Sequence, residues 1–142
     1  MNKLKIVLDS NIIFSALLST NNKFKFIIYD KRFKFFSCNF LFTEIFKNKE
    51  KLSNISKLTE KDLLIQMSNI FSKIHFIPEE FIPKEIYNKA YNLCKNIDES
   101  DTPFIALAIF LNAKLLTGDM KLANKLKTLT ISVTDILENK LK

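Results

Sequence analysis

Short apolar runs alternate along the chain with longer stretches whose apolar residues recur at helical spacing. Runs of this kind, rich in Ile, Val, Leu and Phe and without polar alternation, are typical of strands buried on both faces. The predicted strands cover residues 4–8, 33–38, 75–78, 114–117 and 131–133. The segment 75–78 is the weakest of them and could equally be an extended link.

The stretches between these runs repeat apolar residues at three- and four-residue intervals, which is the period of a helix. Residues 103–112 are apolar all round, which predicts a deeply buried helix, and Pro103 suits its first turn, with Asp101 or Thr102 as cap. Ser10 or Asn11 is expected to cap the first helix. The predicted helices cover residues 12–19, 24–30, 40–51, 59–74, 83–95, 103–112, 119–127 and 135–142.

This alternation of strands and helices predicts an α/β fold. A parallel sheet with right-handed crossovers carries helices on both faces. The chain has 142 residues, which suits a single domain over 1–142.

Charge and composition add a weaker signal. The chain carries 22 basic and 15 acidic side chains, for a formal net charge of +7, and every basic residue except Arg32 is a lysine. Because Lys, Ile, Asn and Phe all have A/T-rich codons, genome composition can account for part of this charge. The segment from Arg32 to Phe36 interleaves basic and aromatic side chains that could touch RNA, but packing in a strand is the favoured interpretation.

Several classes of protein are disfavoured. Cys38 and Cys94 form no C-x-x-C motif and His75 is the one histidine, which argues against a zinc finger, a thioredoxin-like motif and a disulfide scaffold. Polar residues from Asp9 to Asn11 interrupt the amino-terminal apolar stretch, unlike a signal peptide. The longest later apolar run, 104–111, is far shorter than the about 20 residues of a membrane span. We therefore expect a cytoplasmic protein with no membrane partner.

Four acidic residues stand where a parallel sheet binds its ligands, near the carboxyl ends of strands. Asp9 follows the first predicted strand and Asp119 follows the fourth. Asp101 precedes the most apolar helix, and Glu44 lies inside an apolar helical stretch. Each has an ordinary alternative, because the aspartates could cap helices and the glutamate could pair with a lysine one turn later.

Taken together, the four acids indicate a metal site. Carboxylates that share a pocket repel one another unless their pKa values rise or cations hold them together. Ligands that are all oxygen suit hard ions such as Mg²⁺ or Mn²⁺. An acidic, metal-binding pocket on a basic protein favours a phosphodiester polymer as substrate.

Three sequence features together resemble a known family. They are DSNIIFSALL at 9–18, the lone Glu44 in an early helix, and DESDTPFIALAIFLNAKLLTGD at 98–119. Their order and spacing are similar to those of the PIN-domain nucleases, and most similar to the small bacterial members assigned as toxins of toxin–antitoxin pairs. The resemblance spans essentially the whole chain. It implies a three-layer α/β/α sandwich around a mainly parallel sheet of about four or five strands, and Mg²⁺- or Mn²⁺-dependent endoribonuclease activity.

The resemblance also implies site residues. Matched motif by motif, the catalytic and metal-binding acids are Asp9, Glu44, Asp101 and Asp119, the supporting polar residues are Asn11 and Thr117, and Asp98 is a candidate additional ligand. Many members carry a further acid shortly after the fourth one, where this chain has Met120–Leu122. A complete second metal site is therefore not implied.

The implied partners are RNA as substrate, an antitoxin protein, and a second copy of the chain. Two alternatives stay open. One is a PIN-fold module that binds RNA or protein and is catalytically impaired. The other is a phosphatase of the haloacid-dehalogenase type, which needs a proton-exchanging acid two residues after its nucleophile. This chain has Asn11 at that position, which disfavours the phosphatase.

Overall fold

A computed structural model describes residues 3–18 and 23–138. Within these ranges the strands are β1 (Leu4–Leu8), β2 (Phe33–Cys38), β3 (Ile74–Ile77), β4 (Lys114–Thr117) and β5 (Thr130–Ser132). The helices are α1 (Ser10–Leu18), α2 (Lys23–Ile28), α3 (Phe40–Lys47), α4 (Lys49–Ser56), α5 (Glu60–Phe71), α6 (Lys84–Cys94), α7 (Thr102–Leu111), α8 (Met120–Lys125) and α9 (Val133–Leu137). Two short 3-10 turns lie at Glu79–Phe81 and Glu99–Asp101.

The five strands form one sheet in the order β3-β2-β1-β4-β5, and every neighbouring pair is parallel. The chain builds the sheet outward from β1 to β3 and then returns to the other side of β1 for β4. The strand order therefore reverses between β1 and β4, which is the point where open α/β sheets bind ligands. This confirms the predicted α/β fold with its parallel sheet flanked by helices.

Consecutive buried residues show why these segments are strands. Ile6, Val7 and Leu8 are all buried in β1, as are Leu115 and Leu116 in β4. Since successive side chains of a strand point to opposite faces, both faces of the sheet are covered. Packing also explains the aromatic side chains of β2, because Phe33, Phe35 and Phe36 are buried in the core.

Helix α7 is the most buried helix, as its composition predicts. Five consecutive residues, Phe104 to Ala108, are almost inaccessible to solvent. The helix packs against β1, β2 and β4, and α6 packs against α7. A second group of helices, in which α1 contacts α2, α4 and α5, completes the layers.

The prediction of one helix over 40–51 is wrong. Asn48 leaves the helical conformation and separates α3 from α4, which then continues to Ser56. The Asn48 side chain donates a hydrogen bond to the carbonyl oxygen of Glu44 (2.8 Å). Asparagine competes in this way for backbone groups that would otherwise continue a helical ladder.

The first helix also differs from its prediction. It begins at Ser10, and Asp9 rather than Ser10 or Asn11 supplies the capping oxygen, which accepts from the Ile12 amide (3.0 Å). Other ends differ by one to three residues, as element ends commonly do. Residue 19 of the first predicted helix and residues 139–142 of the last lie outside the described residues.

No helix within residues 3–18 and 23–138 is both long and apolar enough to cross a membrane.

Candidate functional site

The carboxyl edge of the sheet opens into two adjoining cavities of about 570 and 420 Å³. The two cavities share five lining residues, which are Asp9, Asn11, Ser15, Asp98 and Asp101. Glu44 lines the larger cavity, whereas Thr117 and Asp119 line the smaller one. We call the two cavities together the carboxyl-edge cleft. Every site residue implied by the sequence lies on its wall.

Asp9 sits at the centre of this cleft, directly after β1. It is only 4% exposed. Its pKa is raised from the usual 3.8 to about 6. Burial is the main cause, the amides of Ile12 and Asn11 oppose it, and the charges of Asp119 and Asp98 add a smaller increase. The carboxylate is therefore held in place by the backbone yet costly to ionise.

Asp101 is the second buried carboxylate, at 9% exposure. It occupies the cap position of α7, but its side chain accepts no capping hydrogen bond. Its pKa is raised to about 7, mainly by burial and in smaller part by the charges of Asp9, Asp98 and Asp119. Its interpretation as an ordinary helix cap is therefore wrong.

Asp119 and Asp98 stand closer to solvent and are fixed by their own loops. Asp119 caps α8 by accepting from the amides of Lys121 (2.9 Å) and Leu122 (3.2 Å). The buried hydroxyl of Thr117 accepts from the amide of Asp119 (3.0 Å), which fixes the turn after β4. Asp98 accepts from both the amide (3.0 Å) and the hydroxyl (2.6 Å) of Ser100.

Glu44 reaches the cleft from α3, on the wall of the larger cavity. The ion pair with Lys47 or Lys51 that its local spacing allowed is not formed. Lys51 instead lines the same cavity as Glu44, and Lys23 lines the smaller cavity. The cleft thus has carboxylates where the two cavities meet, and each cavity has one lysine on its wall.

The family model that matches is that of the PIN domain, over residues 7–137. The chain belongs to the PIN-domain family. PIN domains are generally nucleases, and PIN nucleases generally use divalent metal ions. The match confirms the family resemblance and removes the support for a haloacid-dehalogenase phosphatase. No curated protein sequence matches this PIN domain.

Solved structures similar to this PIN domain share its fold at low sequence identity. VapBC2 from Rickettsia felis, solved with a DNA fragment from its promoter, has a TM-score of 0.68 and 14% identity over 91% of this chain and 98% of that chain. VapBC-1 from nontypeable Haemophilus influenzae has a TM-score of 0.65 and 16% identity over 92% and 99%. A toxin–antitoxin complex from Klebsiella pneumoniae has a TM-score of 0.63 and 13% identity over 90% and 97%.

Ser10 is a feature of the PIN-domain cleft that the sequence did not reveal. Its side chain lines the larger cavity, and the residue is 8% exposed. Among the described residues its Oγ is the one buried side-chain oxygen or nitrogen without a hydrogen-bond partner. A buried hydroxyl normally finds a partner, but this oxygen is itself inaccessible to solvent, so a ligand in the cleft would reach it only after its surroundings move. Its position in the sequence suggested only a helix cap.

The donor set of this PIN domain fits a hard divalent cation in its chemistry. The carboxylates of the cleft are oxygen donors, which Mg²⁺ and Mn²⁺ prefer, and no lysine or arginine of the described ranges forms an ion pair with them. The arrangement of these donors does not form a ready-made site, because no three His, Cys, Asp or Glu side chains within residues 3–18 and 23–138 are close enough together to hold one ion. An ion bound there without rearrangement would take at most two of these side chains directly and complete its shell with water.

Proposed function

We propose that this PIN domain is a metal-dependent endoribonuclease that hydrolyses RNA phosphodiester bonds as the toxin of a toxin–antitoxin pair. One observation carries the proposal. Two buried carboxylates, Asp9 and Asp101, share a cleft in which burial and the charges of Asp98 and Asp119 raise the pKa of both, and neither forms an ion pair with a lysine or arginine of the described residues. Such an arrangement is costly for folding and is typical of functional sites.

The carboxylates that would hold Mg²⁺ or Mn²⁺ are those lining the cleft: Asp9, Glu44, Asp101 and Asp119, with Asp98 as an additional donor. A bound divalent ion supplies charge neutralisation at the phosphate and lowers the pKa of a water molecule. Asp9 keeps a fixed orientation through the Ile12 amide, Thr117 fixes the turn after β4, and Asn11 lines both cavities as the proposed supporting polar residue. Lys51 and Lys23 are placed to hold the RNA backbone by charge.

The antitoxin part of the proposal draws on the structural relatives, which include VapBC and other toxin–antitoxin complexes. An antitoxin protein is the partner we propose, and a second copy of the chain is a further candidate. The proposed location is the cytoplasm, where RNA substrates are found.

A catalytically impaired module that binds RNA or protein is the second candidate. It is favoured by one observation, which is that no three acidic side chains of the described residues are arranged to hold an ion. It predicts RNA binding without cleavage at any metal concentration.

Cleavage of a labelled single-stranded RNA tests the proposal. We expect cleavage with Mg²⁺ or Mn²⁺ and none with EDTA. Asp9→Asn and Asp101→Asn should each reduce the rate by on the order of 100-fold or more. Asp62→Asn is the matched control, because this exposed aspartate on α5 is remote from the cleft lining, and its rate should stay within about two-fold of the wild type. RNA binding without cleavage under every condition would favour the impaired module.

A further inference from the structure

A second cleft lies at the opposite edge of the sheet, where the strands begin. Lys3 precedes β1, Lys31 lies in the turn before β2, and Lys73 precedes β3. Together with Lys34 of β2 they line a cavity of about 560 Å³. We call it the amino-edge cleft, and we propose that it is a second binding site for single-stranded RNA. The choice of RNA rests on the proposed ribonuclease function.

The positive charge of this cleft is not neutralised within the protein. None of its four lysines forms an ion pair with any residue of the described ranges. The one acid lining the cleft, Asp30, binds the Arg32 guanidinium through both carboxylate oxygens, which lowers the pKa of Asp30. An unneutralised group of lysines around a concave surface attracts a polyanion.

The strand register brings like charges together in this region. Lys34 of β2 lies directly beside Lys5 of β1 in the parallel pairing, and like charges on neighbouring strands repel. Lys5 relieves part of this by donating to the Leu111 carbonyl oxygen (3.3 Å). Lys34 makes no hydrogen bond to any residue that the structure describes, and its ammonium lies 5.6 Å from the centre of the Phe36 ring. A chain of phosphates would relieve the repulsion that the fold leaves in place.

Aromatic side chains distinguish RNA from an acidic protein segment as the occupant. Tyr29 is 48% exposed beside the cleft, with the Lys73 ammonium 5.3 Å from its ring centre. His75 is exposed too, and its ring centre lies 5.4 Å from that of Phe36. Exposed rings alternating with lysines are typical of surfaces that stack unpaired bases while holding the backbone.

The two clefts lie at opposite edges of one sheet, so they would contact different parts of the same RNA. The amino-edge cleft would hold a region of the RNA away from the scissile bond. Binding there needs neither metal nor the acids of the carboxyl edge, so the second site can be tested independently of cleavage.

His75 makes a direct test practical, because it is the only histidine of the chain and lines the amino-edge cleft. Its imidazole proton signals can be followed by NMR during titration with an unstructured 12-nucleotide RNA. The protein is Asp9→Asn in EDTA, which prevents metal-dependent cleavage. We expect saturable shifts of the His75 signals that disappear at high salt. RNA binding seen by fluorescence anisotropy without a His75 shift would overturn the proposal, and so would the absence of RNA binding.

A matched pair of triple variants tests the role of the lysines. Lys31→Gln/Lys34→Gln/Lys73→Gln should weaken RNA binding about ten-fold or more at moderate salt. It should also reduce the slope of log K against log salt by roughly 2, at about 0.7 per phosphate contact. The control changes three exposed lysines outside both clefts, Lys61→Gln/Lys84→Gln/Lys95→Gln. An equal loss in the control would show general charge attraction and overturn the site.

Two further arms test the identity of the ligand. Tyr29→Leu keeps an apolar side chain but removes the ring, and it should weaken RNA binding about five-fold or more. Polyglutamate at the same charge concentration should leave the His75 signals unchanged. An equal His75 shift with polyglutamate would assign the cleft to an acidic protein segment and overturn RNA as its ligand. Melting of each variant at or above the wild-type temperature verifies folding.

Discussion

Asp101 illustrates, at the scale of single residues, how a buried carboxylate differs from an ordinary helix cap. It stands at the amino end of α7, where aspartate commonly caps a helix, but its side chain accepts no capping bond. It is buried instead beside other carboxylates, which raises its pKa to about 7. A buried carboxylate at this position is costly for the metal-free fold, as expected if the proposed metal ion neutralises it.

Asp101→Asn separates these roles. The substitution removes one like charge and breaks no capping hydrogen bond, so the metal-free protein should be as stable as the wild type or more stable. Activity with metal should fall by on the order of 100-fold or more. Chemical denaturation without metal and an RNA cleavage assay with metal measure the two effects. A destabilised variant that kept its activity would refute the catalytic assignment.

The pH dependence of stability gives a second test at this scale. The folded-state pKa values of Asp9 (about 6) and Asp101 (about 7) lie above the usual 3.8, so between these values the folded state binds more protons than the unfolded state. Without metal, the free energy of unfolding should therefore fall as the pH rises from about 4 to about 7, by on the order of 5–6 kcal/mol. Denaturation across this range in Asp101→Asn should show a smaller fall. A free energy of unfolding that rises over this pH range would contradict the raised pKa values of the two aspartates.

Substitution of Ser10 is not expected to destabilise the protein, unlike substitution of most buried polar residues. Its Oγ has no partner among the described residues, so Ser10→Ala breaks no hydrogen bond and should leave the free energy of unfolding unchanged or raise it by up to about 1 kcal/mol. Urea denaturation measures this. A loss of more than about 1 kcal/mol would mean that the hydroxyl has a structural partner.

At the scale of elements, short turns present the acids to the cleft. The turn from β4 to α8 is closed by the Thr117 hydroxyl and by the Asp119 carboxylate, so one acid both caps a helix and faces the cavity. The break at Asn48 lies between two residues of the cleft. Glu44 of α3 and Lys51 of α4 line the same cavity on either side of it.

Gly118 lies in the turn after β4 but is not required there by backbone conformation. Its φ is not positive, and a Cβ built on it meets no atom within 4 Å. Gly118→Ala should therefore stabilise the protein by about 0.5–1 kcal/mol, because alanine restricts the unfolded chain more than glycine does. Thermal or chemical denaturation measures the change. A destabilisation would show that the turn needs a conformation that alanine resists.

At the scale of the whole molecule, charge is separated between the two edges of the sheet. The carboxyl edge gathers aspartates around Asp9, whereas the amino edge gathers lysines around the start of β1, β2 and β3. Parallel strands all point the same way, so the residues that precede strands and those that follow them collect at opposite edges. The net charge of +7 therefore does not show that one cleft of the protein is acidic and the other basic.

Divalent metal should stabilise the whole fold by relieving repulsion at the carboxyl edge. Saturating Mg²⁺ or Mn²⁺ should add about 1–3 kcal/mol by mass action, which corresponds to a rise in melting temperature of about 3–10 °C. The rise should be smaller in Asp9→Asn than in the exposed control Asp62→Asn. Melting curves at increasing metal concentration measure it. An unchanged melting temperature in the wild type would contradict metal binding in this cleft.

The sequence by itself determined the fold class and the family. Buried strands leave apolar runs such as residues 4–8, and helices leave their own period, because each element must bury a face of fixed geometry. The motifs at 9–18 and 98–119 then sufficed for the PIN-domain resemblance that the family match confirms. The four acids Asp9, Glu44, Asp101 and Asp119 could be singled out by position, whereas Asn11, Thr117 and Asp98 were named only through that resemblance, and the catalytic assignment stays a prediction.

Only the tertiary structure decided how these residues act. Local patterns cannot show that Asp101 fails to cap α7, that the Ser10 hydroxyl lacks a partner, or that Asn48 divides a helix. The burial of Asp101 and Ser10 depends on atoms contributed by distant segments, whereas Asn48 bonds within its own turn. The amino-edge cleft also depends on distant segments, since its lysines come from three different strand starts and meet only because parallel strands begin at one edge. Sequence periodicity records which face of an element is buried, whereas the meeting of charges from different elements is set by topology and register.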